Sequence, residues 1–460
     1  MTPSPPRPRH RLELREADAT GELVAMDAAE AAALVASKLV TVTPWGAGTW
    51  RVVPAGNKVG AVRIGEWEVS VRPKAPFASV LFMLAYASDP GIAPEEFEGA
   101  ADEDLWAMVA HTLQRLVGRA LAQGVLQGYV TRDDQLSVVR GRIRVGDQMA
   151  RRQGRPLPLE LRFDEYKTDI PENRILRTAL RRMGQVPGVP GELRRRLSQL
   201  EARLADVTVL RAGQWRPAWS ATRLNRRYVP ALHLSELVLD HLGLSTVHGD
   251  RPVASFVIDM AQTFERFVTA AVTRGYAERD ARTGGWTTAQ FRTFLDTEHL
   301  QRIRPDIVHL NAAGVPDAVL DVKYKLMGGP VGPGAAGAAS STGATGAGPR
   351  LEDLYQMLAY CTVLGLDRGT LIYAAESADA QRTTLEVAGS NVRITAWPVD
   401  VAVPPHELKV SITAHPDRIG IAIHWSHTFG VRSRRHHERP RHQTTNGRED
   451  DARPPVAHRA

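Results

Sequence analysis

The chain has one cysteine, Cys361, in 460 residues. No intramolecular disulfide framework can form from it, and a cysteine-rich zinc site is excluded. Aromatic residues are scarce, at 6%, so aromatic-poor segments are expected to pack loosely. No apolar run approaches the length of a membrane span. The Ala-rich stretch Met26–Val40 is interrupted by Asp27, Glu30 and Lys38 and reads as a soluble helix. The opening Met1–Arg11 is rich in Pro and Arg and leads into no apolar segment, so no secretory signal is predicted and a cytoplasmic location is expected. No Gly-x-x-x-x-Gly-Lys-Ser/Thr loop occurs, so the chain itself is expected to bind no nucleotide.

What is present is length and a modest excess of positive charge. At 460 residues the chain can hold two or three domains, each with its own core. Lys and Arg number 58 against 51 Asp and Glu, a net charge of +7, which favours a polyanionic partner. The patterning predicts an α+β multidomain protein. Residues 1–12 read as a disordered arm, and 13–95 as a β-rich module with strands Thr41–Trp45, Trp50–Val53 and Trp67–Arg72. Residues 96–249 read as mainly helical, with a short strand pair near Leu136–Val145. Residues 250–428 read as an α/β domain carrying a flexible Gly/Ala/Ser/Thr insertion at 328–349, and 429–460 as a disordered basic tail.

The most informative stretch is 302–325, which reads as two strands joined by the turn Asn311–Pro316. Side chains alternate along a strand, so Asp321 and Lys323 point the same way. Asp306 lies on the partner strand and comes within reach if the two strands pair. Two carboxylates and an ammonium would then meet at a sheet edge. Metal-assisted phosphodiester cleavage needs that set: hard oxygen ligands for Mg²⁺ (or Mn²⁺) and a cation beside the attacking water. Downstream, Asp353, Gln356 and Tyr360 fall on one stripe of a helix spanning 353–361. Upstream, a helix from Asp259 to about Arg274 places Glu265 at the edge of its buried face, where a carboxylate is costly unless paired or metal-bound. The competing accounts are a solvated hairpin with an incidental ion pair, and a Glu that reaches water from the side of an amphipathic helix.

Pro-Asp, Asp-x-Lys and a following Gln-x-x-x-Tyr helix together resemble the PD-(D/E)xK nuclease signature. More broadly, the chain resembles the McrC family, the nuclease subunit of the McrBC 5-methylcytosine-specific restriction system. The resemblance rests on Val59–Gly65, Val71–Lys74, Val80–Tyr86, Arg140–Ile143, Asp169–Leu176, Phe256–Glu265 and Asp321–Lys325, and it covers most of residues 50–375. It implies that 250–428 is a restriction-endonuclease-like domain and that 13–95 docks on an McrB-like AAA+ GTPase ring. It also implies double-stranded, modified DNA as substrate. Asp306 and Asp321 would hold Mg²⁺ with the backbone carbonyl of Val322, and Glu265 would complete the shell directly or through water. Lys323 would orient or deprotonate the nucleophile, and Gln356 and Tyr360 would position the hydrated metal or the phosphate. Lys325, on the same strand face, is a candidate phosphate contact. Arg181 and Arg182 are candidate contacts to DNA or ring, while Asp169, Glu172 and Asn173 read as turn and capping residues. Two rivals stand beside this reading: a non-catalytic activator of the ring NTPase, and a stand-alone repair nuclease.

Overall fold

The computed structural model describes residues 10–97, 105–152, 154–211, 213–247, 251–281, 284–325, 349–376 and 380–413. The expected basic tail and nearly all of the expected insertion lie outside them. The described residues form ten α-helices and five β-sheets, a mixed α/β architecture. No helix among them is long and apolar enough to cross a membrane.

A five-stranded sheet anchors the N-terminal region, in the order His10–Arg15, Trp67–Arg72, Lys58–Ile64, Arg251–Asp259, Leu242–Val247. Its centre is apolar on both faces: Val59, Ala61, Val62, Ile64, Val69 and Val71 are all buried. Gly60 is required where two neighbouring strands of this sheet approach closely. Its φ is +135°, and a Cβ there would lie 1.8 Å from the Phe256 carbonyl oxygen.

Two sequence expectations are corrected here. Residues 10–12 are strand rather than arm, because His10–Arg15 pairs in parallel with Trp67–Arg72 and buries Leu14. The boundary expected near 250 runs through this sheet, since Arg251–Asp259 pairs antiparallel with Lys58–Ile64. Pairing across about two hundred residues leaves no local trace in the sequence.

The three strands expected in the N-terminal module form. Val40–Gly46 and Thr49–Pro54 pair in a small sheet with Glu22–Ala25, and Trp67–Arg72 joins the large one. Helix Ala28–Ser37 packs beside the small sheet. It starts at a capping box in which Asp27 accepts from the Glu30 amide at 2.7 Å and Glu30 accepts from the Asp27 amide at 3.0 Å.

The middle region carries helices Leu105–Leu121, Pro171–Gly184, Gly191–Ala202 and Val229–His241. Its β structure is larger than the strand pair expected. Gly128–Leu136 and Arg142–Ile143 do not pair with each other; both pair with Leu159–Lys167.

The C-terminal region is a six-stranded sheet in the order Gly285–Ala289, Ile307–Asn311, Pro316–Lys323, Arg368–Ala375, Arg393–Asp400, Thr383–Glu386. The central pairs are parallel and the flanking pairs antiparallel. Helix Leu351–Leu364 covers one face, setting Met357, Tyr360 and Cys361 against Val308, Val319, Leu371, Tyr373 and Ile394. The single cysteine is thus a small apolar core residue. This helix sits so close that a Cβ on Gly369 would lie 2.4 Å from the Met357 sulfur and 2.8 Å from the Cys361 sulfur. Helix Met260–Arg279 lies on the opposite side of the sheet, with the Phe264 ring 5.7 Å from that of Tyr324. The same helix ties this sheet to the N-terminal region, because Phe267 packs edge-on against Phe82 and Tyr86 of helix Phe77–Ser88.

Candidate catalytic site

The site forms where the hairpin of Ile307–Asn311 and Pro316–Lys323 opens at its end away from the turn. Ile307 is paired with Leu320, so Asp306, one residue earlier, stands beside Asp321. The Asp306 carboxylate is fixed there by the Val322 amide, which donates to its Oδ2 at 2.8 Å. Because the N–H and C=O of a strand residue face the same neighbour, the Val322 carbonyl also looks toward Asp306. Alternation brings Lys323 onto the Asp321 side of the strand, with Nζ 2.5 Å from Asp321 Oδ2.

Helix Leu351–Leu364 continues the network. Lys323 Nζ donates to Gln356 Oε1 at 2.8 Å, Gln356 Nε2 donates to the Tyr360 hydroxyl at 2.7 Å, and that hydroxyl donates to the Arg304 carbonyl at 3.4 Å. The i, i+4 spacing of Gln356 and Tyr360 makes the middle link possible. Glu265 arrives from helix Met260–Arg279, half-buried between Phe264 and Phe267. Asp306, Asp321, Lys323, Gln356 and Tyr360 thus adjoin one another, and Glu265 joins them through a further residue.

The sequence reading missed Gln290, which completes the cluster. Its amide donates to Glu265 Oε1 at 2.5 Å and to Asp306 Oδ1 at 2.9 Å. Its backbone is left-handed, with φ of 51°, and its own N–H donates to the Asp306 carbonyl at 2.7 Å. Only the end of a β-like run at Ala289 marks the position in sequence, which is too weak a signal to single it out.

The electrostatics follow from burial. Asp321 is 2% exposed, and burial, reinforced by the neighbouring Asp306 carboxylate, pushes its pKa up to about 7. Burial and then Asp306 also raise Glu265 above the usual carboxylate range. Burial works against the Lys323 ammonium, but Asp321, with Asp353 and Asp306 behind it, outweighs that effect and leaves Lys323 above its ordinary value. Tyr360 is pushed up to about 12, first by burial and then by Asp321, so its hydroxyl keeps its proton.

Two adjacent carboxylates that raise proton affinity in this way suit a hard divalent cation. Asp321 Oδ2 is buried and accepts no hydrogen bond of good geometry beyond its ion pair, and the donor set is all oxygen. Asp306, Asp321 and the Val322 carbonyl therefore fit such an ion. Glu265 is placed less directly. Among the described residues, no three His, Cys, Asp or Glu side chains are gathered tightly enough to hold a metal. The Gln290 amide stands between Glu265 and Asp306, which favours a water-mediated role for Glu265.

Other candidate residues are committed elsewhere. Lys325 pairs with Glu352 at 2.9 Å and Asp353 at 2.8 Å, so it is not a free phosphate contact. Asp353 is buried and accepts from the Tyr373 hydroxyl at 2.7 Å. Asp169 holds Arg174 and Thr208, Glu172 accepts from Asn225, and Asn173 donates to the Leu126 and Thr168 carbonyls. Arg181 is paired with Glu201.

A family model described as McrBC 5-methylcytosine restriction system component matches residues 53–374. No curated protein matches the chain. Among solved structures, one is similar over 89% of this chain and 100% of its own, with a TM-score of 0.54 and 16% identity. It is a refined half-complex from a tetradecameric assembly of Thermococcus gammatolerans McrB AAA+ hexamers with bound McrC. At that identity the likeness speaks for the fold alone. The Thermococcus gammatolerans McrBC complex is also similar, with a TM-score of 0.38, 17% identity, and coverage of 58% of this chain and 88% of that one.

Proposed function

The chain belongs to the McrBC 5-methylcytosine restriction system component family, and from that premise we propose that it is the system's Mg²⁺-dependent DNA endonuclease subunit. Its partner is an McrB-like AAA+ GTPase ring, which it stimulates and which brings double-stranded modified DNA to it. The half-complex of McrB hexamers with bound McrC supports a ring partner by likeness of fold. The observation that carries the nuclease reading is the junction of Asp306, Asp321 and Lys323 at one open hairpin end, with Glu265 linked to them through Gln290.

Asp306, Asp321 and the Val322 carbonyl would hold the divalent ion, and Glu265, joined to Asp306 through Gln290, would complete its surroundings. When bound, the ion would supply Lewis-acid polarisation of the phosphate and activation of the attacking water. Lys323, its ammonium 2.5 Å from Asp321 Oδ2, offsets the negative charge that builds on the phosphate. Gln356 holds Lys323 in place, and Tyr360 holds Gln356 in turn. The peptide amides and packed helices beneath set these groups before substrate arrives, so little reorganisation remains for the reaction itself.

The test is plasmid cleavage by purified chain and ring with GTP and Mg²⁺. Asp321→Ala is expected to abolish cutting while leaving stimulation of the ring's GTP hydrolysis intact. Cutting at the parental rate would refute the assignment.

A further inference from the structure

A two-stranded ribbon rises directly from the site. Thr293 pairs with Ile303 and Phe294 with Arg302, and the Phe291 amide donates to the Pro305 carbonyl at 3.0 Å. Gln290 and Asp306 of the site are therefore the two feet of this ribbon. Residues opposite each other in an antiparallel pair share a face. One face carries Phe291 and Ile303, which pack against the core beneath helix Leu351–Leu364. The other presents Arg292 opposite Arg304, then Phe294 opposite Arg302, with the Arg302 guanidinium 5.8 Å from the Phe294 ring centre.

The ribbon is stiffened at its tip. Asp296 accepts from the Leu300 and Gln301 amides at 2.9 and 2.7 Å, and His299 stacks on Phe294 at 4.5 Å. Alongside its base runs a groove of about 670 Å³, lined by Glu265, Gln290, Arg304, Arg266, Thr269 and Thr273 among others. The groove thus extends from the acidic cluster along the outer side of helix Met260–Arg279.

The charges distinguish this surface. Several arginines elsewhere on this domain are neutralised locally: Arg274 by Glu278, Arg279 by Asp280, Arg393 by Glu386. Arg266, Arg292, Arg302 and Arg304 are exposed, and none of them is ion-paired to a described residue. A β-ribbon keeps alternate side chains about 7 Å apart along one strand. Arg302 and Arg304 therefore stand on one face at a spacing on the order of 7 Å, close enough to reach neighbouring phosphates of one backbone.

We propose that the arginine face of the 291–305 ribbon, continued by Arg266, is the seat of the duplex being cut, gripping its phosphates and presenting one to the acidic cluster at the ribbon's feet. The proposal rests on the nuclease reading and adds the surface that holds the substrate. Its contacts are to phosphates, so they position the duplex without reading its sequence.

The experiment measures equilibrium binding of the full chain to a short fluorescent DNA duplex in EDTA, across a salt series. It compares the parent with an Arg292→Ala/Arg302→Ala double variant, an Arg292→Lys/Arg302→Lys double variant and Asp321→Ala. Each lost phosphate contact lowers the slope of log affinity against log salt by about 0.9. The alanine pair is therefore expected to reduce the slope by about 1.8 and to weaken binding at low salt at least tenfold. The lysine pair should keep the parental slope, and Asp321→Ala should bind no more weakly than the parent. The proposal is overturned if the alanine pair keeps the parental slope, if the lysine pair loses it equally, or if the parent shows no measurable binding. Failure of the nuclease reading would appear separately, as cleavage by Asp321→Ala with these binding curves unchanged.

Discussion

Asp321→Asn should make the metal-free protein more stable at alkaline pH while silencing it. Asp321 is buried beside Asp306, with a pKa of about 7 in place of the ordinary 3.8. A raised carboxyl pKa means that the group's contribution to stability is fully present below the unfolded value. It is lost as pH rises from about 4 through 7. At pH 8 the ionised side chain then carries about 4 kcal/mol of unfavourable free energy in the folded chain, reduced to about 2 by local relaxation and water. Asparagine has the same shape without that charge, and Lys323 keeps its hydrogen bond to Gln356. Thermal unfolding in EDTA should show Tm raised by a few degrees at pH 8, with the gain shrinking toward pH 5. Plasmid cleavage with the ring should be lost. A variant that melts below the parent at pH 8, or a difference that does not vary with pH, would refute the argument that burial and Asp306 set the state of this carboxyl.

Two further outcomes probe the frame around the cluster. Gly369→Ala drives a methyl against Met357 and Cys361. It should cost about 1–3 kcal/mol by overpacking and lower the cleavage rate by displacing Gln356 and Tyr360, as urea unfolding and plasmid assays would read. Gln290→Ala removes the amide that joins Glu265 to Asp306. Cleavage at saturating Mg²⁺ should fall roughly tenfold, the equivalent of about 1.4 kcal/mol of lost positioning, with Tm little changed. An unchanged saturating rate would remove Gln290 from the account.

The parts of the site visible in the sequence are those governed by short periods. Alternation put Asp321 and Lys323 on one face, a helical stripe aligned Gln356 with Tyr360, and a turn signal at Asn311–Pro316 brought Asp306 back beside Asp321. What stayed hidden depends on contacts distant in sequence. Gln290 enters through a left-handed backbone and pairing with residue 306. Arg302 and Ile303 read as the start of the strand that holds Asp306, yet they pair backward with Thr293 and Phe294 and form the ribbon instead. Lys325 shares a strand face with Lys323, but two carboxylates at the start of helix Leu351–Leu364 capture it. Likewise, nothing near residue 250 announces that Arg251–Asp259 belongs to the N-terminal sheet.

The most direct measurement of the central claim is methylated-plasmid cleavage by Lys323→Ala, reconstituted with the AAA+ ring, GTP and Mg²⁺, with GTP hydrolysis followed in the same tube. Among the described residues, Lys323 is the one cation touching both Asp321 and Gln356, and its loss should leave ring stimulation at the parental level and cleavage at background. Cleavage at the parental rate by that variant would contradict the account.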